Sequence, residues 1–358
     1  MKKPRRGLSR RDLWRGLARA EAPRPELPCR SAGALLRASR PAMGSFFEVQ
    51  VPASTPGGLA LAERALDRVE AIEARLTIYR DDSEVSRLNA IAHREPVTVS
   101  AELFALIEQA LELGAATGGA FDVASGALAL AWGFIRGPKR VPSPEALAEA
   151  RACSGAAHVV LDRSRQTVAF DRSGVVLNFG AIGKGYAVDA AAAVLKDWFW
   201  PTSGLVHAAQ SSVYAVGSPP GRFGGRWPIA VRNPHNPQTP LGTIWLRHRG
   251  LGTSGGAFQW FEAPDGRRYA HLIDPRTGAP PEGLARSVTV LAATAAAADA
   301  LSTAFYLLGP PGVAAYRAAG HADVGAIFVD ARGEVETVGL GPADFEPAAG
   351  VTVRSYPE

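Results

Sequence analysis

The chain has 358 residues, 47% hydrophobic and 20% charged, as expected of a soluble globular protein with one large core or two modest ones. Its net charge of +5 is unevenly spread: residues 1–40 hold 12 Lys/Arg and 3 Asp/Glu, and the other 318 hold 27 and 31. The body is therefore mildly acidic and gives no argument for a nucleic-acid partner, and no run of 18 apolar residues predicts a membrane span.

Two cysteines, Cys29 and Cys153, make no disulfide framework. Ser9-Arg10-Arg11-Asp12-Leu13 looks like the start of a twin-arginine export signal. The apolar stretch such a signal needs is interrupted by Arg15, Arg19 and Glu21. Residues 1–40 read as a disordered basic leader and the chain as cytoplasmic, with periplasmic export through a degenerate signal as the alternative.

Ser45 to Val51 alternates apolar and polar residues and predicts a strand. Residues 58–76 carry apolar residues at helical spacing. A second amphipathic helix spans 101–116 and stops at Gly118-Gly119. Ser143 caps a third over 144–152, with Pro144 in its first position. Residues 158–178 give two or three short strands, and an alanine-rich helix follows over 181–197.

Beyond it the candidates are strands: 205–216, 227–231, 242–247, 258–262, 269–272 and 287–291. Helices return at 295–308 and 311–319, and a hairpin over 324–329 and 334–338 turns at Asp330-Ala331-Arg332-Gly333. Helices and strands come in blocks, so the predicted class is α+β, antiparallel sheets with flanking helices. The domain is placed over 41–345, with a C-terminal tail from 346 to 358.

Residues 177–189 stand out. A short apolar strand, Val175 to Leu177, leads into a turn with Gly180, Gly183 and Gly185, and Lys184 sits among them. Such a turn before a helix lets backbone N–H groups approach a phosphate, and Lys184 adds a full positive charge. It is not a P-loop: Asn178 stands where the first glycine belongs, and Gly185 follows the lysine in place of Ser or Thr.

Asp299 and Thr303 lie four apart on an apolar helix, so one face presents a carboxylate and a hydroxyl able to share a hard cation. The plainer alternative is a surface aspartate and a threonine bonded back to its own helix. His271 precedes the turn Asp274-Pro275-Arg276-Thr277-Gly278 and reads either as a core histidine or as a general base. Tyr79 and Phe121 could sandwich a planar ring, or pack in the core.

Taken together, these segments resemble the ApbE-type FAD:protein FMN transferases from Met43 to about residue 340. The motifs are Met43-Gly44-Ser45, Tyr79 with Ser83 to Asn89, Ala120-Phe121-Asp122 and Trp132-Gly133-Phe134. Gly180 to Asp189, Thr253-Ser254-Gly255, His271 to Pro275 and Asp299 to Thr303 complete the set. The resemblance implies two lobes around an FAD cleft. It also implies a Mg²⁺-dependent transfer of FMN from FAD to a Thr or Ser hydroxyl of an acceptor flavoprotein subunit, with release of AMP.

By that resemblance Mg²⁺ is held by Asp299, Thr303 and the Ala181 carbonyl. Lys184 neutralises the diphosphate and His271 is the base. Met43, Tyr79, Ala120, Phe121, Asp122, Asn178 and Ile273 hold FAD. Two positions depart from the pattern: Asn178 replaces an aspartate, and Gln210-Ser211-Ser212 replaces a Gly-Gly pair followed by Asp or Asn. They leave an FAD-binding protein of the same fold, weakened in transfer, as the alternative.

Overall fold

The computed structural model describes residues 33–209, 211–221, 225–255, 260–263, 266–281 and 287–357. In chain order, a hairpin β1 (Leu35–Ala42) and β2 (Ser45–Pro52) leads into helices α1 (Gly58–Leu76) and α2 (Glu84–Ile91). Then come β3 (Val97–Thr98), α3 (Ala101–Ala116), α4 (Gly126–Ala131) and α5 (Pro144–Ala152). Next are β4 (Val159–Asp162), β5 (Thr167–Phe170) and α6 (Gly183–Lys196).

A run of strands follows: β6 (Gly204–Ala208), β7 (Ser212–Val216), β8 (Trp227–Arg232), β9 (Pro240–Leu246), β10 (Gly250–Gly255), β11 (Trp260–Glu262), β12 (Arg268–Ala270) and β13 (Ser287–Ala292). The chain closes with α7 (Ala295–Ala318), β14 (Gly325–Val329), β15 (Val335–Val338), β16 (Phe345–Pro347) and β17 (Val353–Ser355).

Nine strands form the main sheet in the order β1-β2-β6-β7-β10-β13-β14-β15-β17. Every neighbouring pair in it is antiparallel except β15 with β17. The central strands β7 and β14 are buried at every residue. Their period of two explains how: Ala326 and Phe328 join the core under the helices, while Ile327 and Val329 join a second core shared with β8, β9 and β16. Helices α1, α6 and α7 supply much of the first core. The mixed helices and antiparallel sheets are the α+β class expected.

Helix α1 matches its predicted range residue for residue, and so does α3, whose N-cap Ser100 accepts the Leu103 N–H at 3.2 Å. The two helices predicted at 295–308 and 311–319 form one element broken at Gly309, where φ is 68° ahead of Pro310-Pro311.

The boundaries need correction. Residues 35–40, placed in the basic leader, form most of β1, paired residue for residue with β2. Residues 1–32, the rest of that leader, lie outside the described residues. The supposed C-terminal tail supplies most of β16 and all of β17, with Glu346 opposite Thr243 and Val353 beside Val335. Val175 to Leu177 is not a strand: Val176 makes a single bridge to Ser125. The predicted strand over 205–216 is two paired strands, β6 and β7, with Ala208 opposite Ser212.

Strand β10 escaped prediction because three of its six residues are glycine. The packing requires this, since a Cβ on Gly252 would lie 2.4 Å from the backbone of Ala298 in α7. No helix among the described residues is long and apolar enough to cross a membrane.

Candidate active site

The loop before α6 is held from behind. The Asn89 side chain brackets Leu177, accepting its N–H at 2.8 Å and donating to its carbonyl at 3.0 Å. Asn178 N–H donates to the Val123 carbonyl at 2.8 Å, and Asn178 Oδ1 accepts the Gly180 N–H at 3.1 Å. Asn178 thus builds the turn through its oxygen, a role that needs an acceptor and no charge.

Helix α6 starts with Tyr186 N–H on the Ile182 carbonyl at 3.0 Å, so the Ala181 carbonyl lies ahead of the helical ladder. Met43 reaches this end as well. It occupies the β1–β2 turn at φ 51°, donates its N–H to Glu73 Oε1 at 2.7 Å, and rests its methyl where a Cβ on Gly183 would come within 3.3 Å.

Asp299 closes the other side. It is 4% exposed, so the alternative of a surface aspartate is excluded. Oδ2 accepts the Gly185 N–H at 3.0 Å and pairs with Lys184 Nζ at 3.8 Å, while Oδ1 accepts the Ser212 hydroxyl at 3.0 Å. A buried carboxylate without such partners would cost several kcal/mol, on the order of 3–5. The Lys184 side chain keeps 27% of its exposure against 5% for Asp299, so Lys184 is the more accessible partner of the pair.

One turn further on, Thr303 Oγ1 lies 3.1 Å from Ser254 Oγ and 3.5 Å from the Asp299 carbonyl, and Ser254 also meets Ser302 at 2.8 Å. Asp189, on α6, accepts the N–H groups of Ala295 and Ala296 at the start of α7, each at 2.8 Å. Burial pushes the Asp189 carboxyl up to about 6, against the pull of those two N–H groups and of Lys196.

The remaining predicted residues sit on other segments. Asp122 takes the Ala124 N–H at 2.7 Å and the Ala156 N–H at 3.0 Å; burial raises its carboxyl, and those bonds oppose the rise. Ala120 and Phe121 are 1% and 3% exposed and belong to the core, so Phe121 offers no open face for a ring sandwich. Tyr79, 50% exposed, lies just after α1. His271 and Ile273 are half-buried on the stretch after β12. The turn that follows is fixed by Trp132 Nε1 on the Gly278 carbonyl at 2.8 Å and by the Arg276–Asp274 fork at 2.9 and 2.7 Å.

Of the residues the sequence singles out, Lys184 lies beside Asp299, and Thr303 follows one turn further along α7. Sequence reasoning missed Ser212, which it read only as a lost glycine motif, and it gave Asp189 no role. A buried acid on the helix after the lysine loop was the available signal for the second; the first depends on a contact 87 residues away in sequence.

Among the described residues no group of three or more His, Cys, Asp or Glu is placed to hold a metal. The donors here are of another kind: a buried carboxylate, a hydroxyl one turn on, and a carbonyl outside the helical ladder. Each Asp299 oxygen accepts one of the hydrogen bonds above and keeps a further lone pair. Hard oxygens, few in number, suit Mg²⁺.

The ApbE family model matches residues 43–328. The chain belongs to the ApbE family. Its curated relatives include the FAD:protein FMN transferase of Haemophilus influenzae, 30% identical over 298 residues that cover 78% of this chain and 83% of that one. The FAD:protein FMN transferase of Treponema pallidum is 32% identical, over 75% of this chain and 77% of its own. The crystal structure of the ApbE protein from Thermotoga maritima superposes with a TM-score of 0.76 at 30% identity, covering 84% of this chain and 96% of that one. As a member of this family the chain is a transferase enzyme.

Proposed function

We propose that this ApbE protein transfers the FMN half of FAD to a Thr or Ser hydroxyl of an acceptor flavoprotein subunit, with release of AMP, and requires Mg²⁺. The observation that carries the reading is the network joining Lys184, Gly185 and Asp299 at the start of α6. It sets the Lys184 cation at the start of α6 beside a buried carboxylate that could share a hard cation with a diphosphate.

Asp299, Thr303 and the Ala181 carbonyl would hold Mg²⁺, which supplies charge neutralisation on the diphosphate. Lys184, the more exposed partner of the ion pair, adds its charge to the same oxygens. His271 takes the proton of the acceptor hydroxyl as that oxygen bonds to the phosphorus of the FMN half. The bond from this phosphorus to the bridging oxygen breaks, and AMP leaves with that oxygen. Such catalysis is mainly positioning and electrostatics. Met43, Tyr79, Ile273 and the backbone of Ala120 to Asp122 border the flavin and adenosine parts.

A weakened FAD-binding protein is the second reading, on Asn178 and Gln210-Ser211. Two bonds speak against it: Asn178 keeps the loop turn and Ser212 orients Asp299. Gln210 lies outside the described residues.

The test is incubation with FAD, Mg²⁺ and host lysate, followed by denaturing electrophoresis. A fluorescent band that survives denaturation and disappears with EDTA is expected. A protein that binds FAD but labels nothing, at any Mg²⁺ concentration, fits the second reading and sinks the first.

A further inference from the structure

Helices α6 and α7 exchange carboxylates. Asp299 of α7 takes the Gly185 N–H in the first turn of α6, and Asp189 of α6 takes both the Ala295 and Ala296 N–H groups in the first turn of α7. Each acid therefore satisfies donors that a helix start leaves without a ladder partner, and each meets the positive end of the other helix's dipole. The contact is close enough to exclude adjustment: a Cβ on Gly185 would lie 2.2 Å from the Ala295 carbonyl oxygen and 2.8 Å from Ala296 Cα.

Asp189 lies one turn beyond Gly185, and Asp299 lies one turn beyond Ala295. We infer that Asp189 is a positioning residue for the transfer reaction, fixing the start of α7 so that Asp299 and Thr303 face the Lys184 loop. The inference rests on the metal role proposed for Asp299.

Three features favour a role in the site beyond anchoring the fold. Thr294 already caps α7, accepting the Ala297 N–H at 3.1 Å, so Asp189 adds the two N–H groups that Thr294 does not reach. Ser212 and Gly185 hold the Asp299 carboxylate from two directions, so a tilt of α7 that relaxed the Asp189 bonds would have to break one of them. The acid is short, which ties helix to helix with little play.

Asp189→Asn tests this, because it keeps the volume and one acceptor oxygen but faces the second N–H with an NH₂ group. Two quantities are read: the Mg²⁺ concentration that half-saturates the flavin fluorescence change with FAD, without acceptor, and the rate of transfer. We expect the half-saturating Mg²⁺ to rise about tenfold and transfer to recover to within a few-fold of wild type at excess Mg²⁺, with Asp189→Glu closer to wild type.

In an Asp299→Ala background the same substitution should change neither quantity more than about twofold, since the effect runs through Asp299. A folded Asp189→Asn protein with wild-type Mg²⁺ response overturns the inference, as does an equal effect in the Asp299→Ala background. If Asp189→Asn does not fold, Asp189→Ser is read in its place, and a folded Asp189→Ser protein with a wild-type Mg²⁺ response overturns the inference in the same way. An Asp299→Ala protein that keeps its Mg²⁺ response removes the metal role itself, and the inference with it. A crippled Asp299→Ala beside a silent Asp189→Asn removes the inference alone.

Discussion

Lys184 Nζ stands 3.8 Å from Asp299 Oδ2, so the cation proposed to meet a diphosphate is also the counter-charge of a buried carboxylate. Removing either partner has a different consequence. Lys184→Ala leaves Asp299 with its two hydrogen bonds but no ion partner, so it should both loosen FAD binding and slow transfer, each by roughly tenfold or more. Asp299→Ala removes the proposed metal ligand and the Gly185 acceptor together, and should lower transfer by about two or more orders of magnitude while the melt stays cooperative. Flavin-fluorescence titration and single-turnover transfer separate the two. Equal, small effects in both variants would dissociate the pair from the chemistry.

The contrast between these residues and their supports shows what the sequence could tell. Lys184, Asp299 and Thr303 were legible because they sit in local patterns: a glycine turn before a helix, and an i, i+4 pair on an apolar face. Helix α1 was legible from its apolar period. The supports were not. Asp189 binds backbone 106 and 107 residues away, and Ser212 binds a side chain 87 residues away, so both depend on how α6, β7 and α7 meet. β1 was hidden because Arg37 and Arg40 make it read as part of a basic leader, β10 because its glycines serve the helix above it, and β16 and β17 because three residues carry no period.

The turn bond of Asn178 predicts that its amide is a structural substitute for a carboxylate. Asn178→Asp retains the oxygen that receives the Gly180 N–H, so the melting temperature should hold and transfer should stay within about threefold of wild type. Asn178→Ala loses that acceptor and should cost about 1 kcal/mol of stability and slow transfer. A many-fold gain of transfer in Asn178→Asp, measured at saturating FAD, would show instead that the missing charge limits the enzyme.

Gly185→Ala reverses a familiar preference. Alanine normally favours a helix over glycine by about 1 kcal/mol. Here the new methyl meets the Ala295 carbonyl oxygen at 2.2 Å, backbone against backbone, and neither helix can yield without breaking the Asp189 bonds. The expected outcome is destabilisation of about 2–4 kcal/mol in denaturant unfolding and loss of Mg²⁺-dependent FAD binding. A protein of unchanged or greater stability would refute the close packing.

Asp189 also gives stability a pH signature. Burial raises its folded carboxyl from 3.8 to about 6. The folded state therefore holds this proton more tightly than the unfolded chain does. Stability from this group falls as pH rises between about 4 and 6 and is level above that window. The drop amounts to roughly 2–3 kcal/mol, and it should vanish in Asp189→Asn. The check is the difference between the two proteins' unfolding free energies from pH 4.5 to 7.5, which cancels the titrating groups that do not interact with Asp189. A difference independent of pH would show that the carboxyl titrates in its ordinary range.

His271 is where the proposed chemistry and simple packing part most clearly. A base takes the proton of the attacking hydroxyl but need not hold FAD. His271→Ala should therefore leave FAD affinity within a few-fold of wild type and lower transfer by about 10²–10⁴. In the wild type the rate should rise with pH as the ring loses its proton, because only the neutral ring accepts one. That limb should be absent from the residual activity of the variant. Asp274 does not offer a substitute base. Burial pushes its carboxyl up, but the two Arg276 bonds outweigh burial and hold it below its usual value, with both oxygens engaged at 2.9 and 2.7 Å. If His271 only packs, His271→Ala should lower the melting temperature and leave the rate per folded molecule, and its pH limb, intact. A thermal melt beside a single-turnover pH profile separates the two outcomes, and an intact limb would take His271 out of the mechanism.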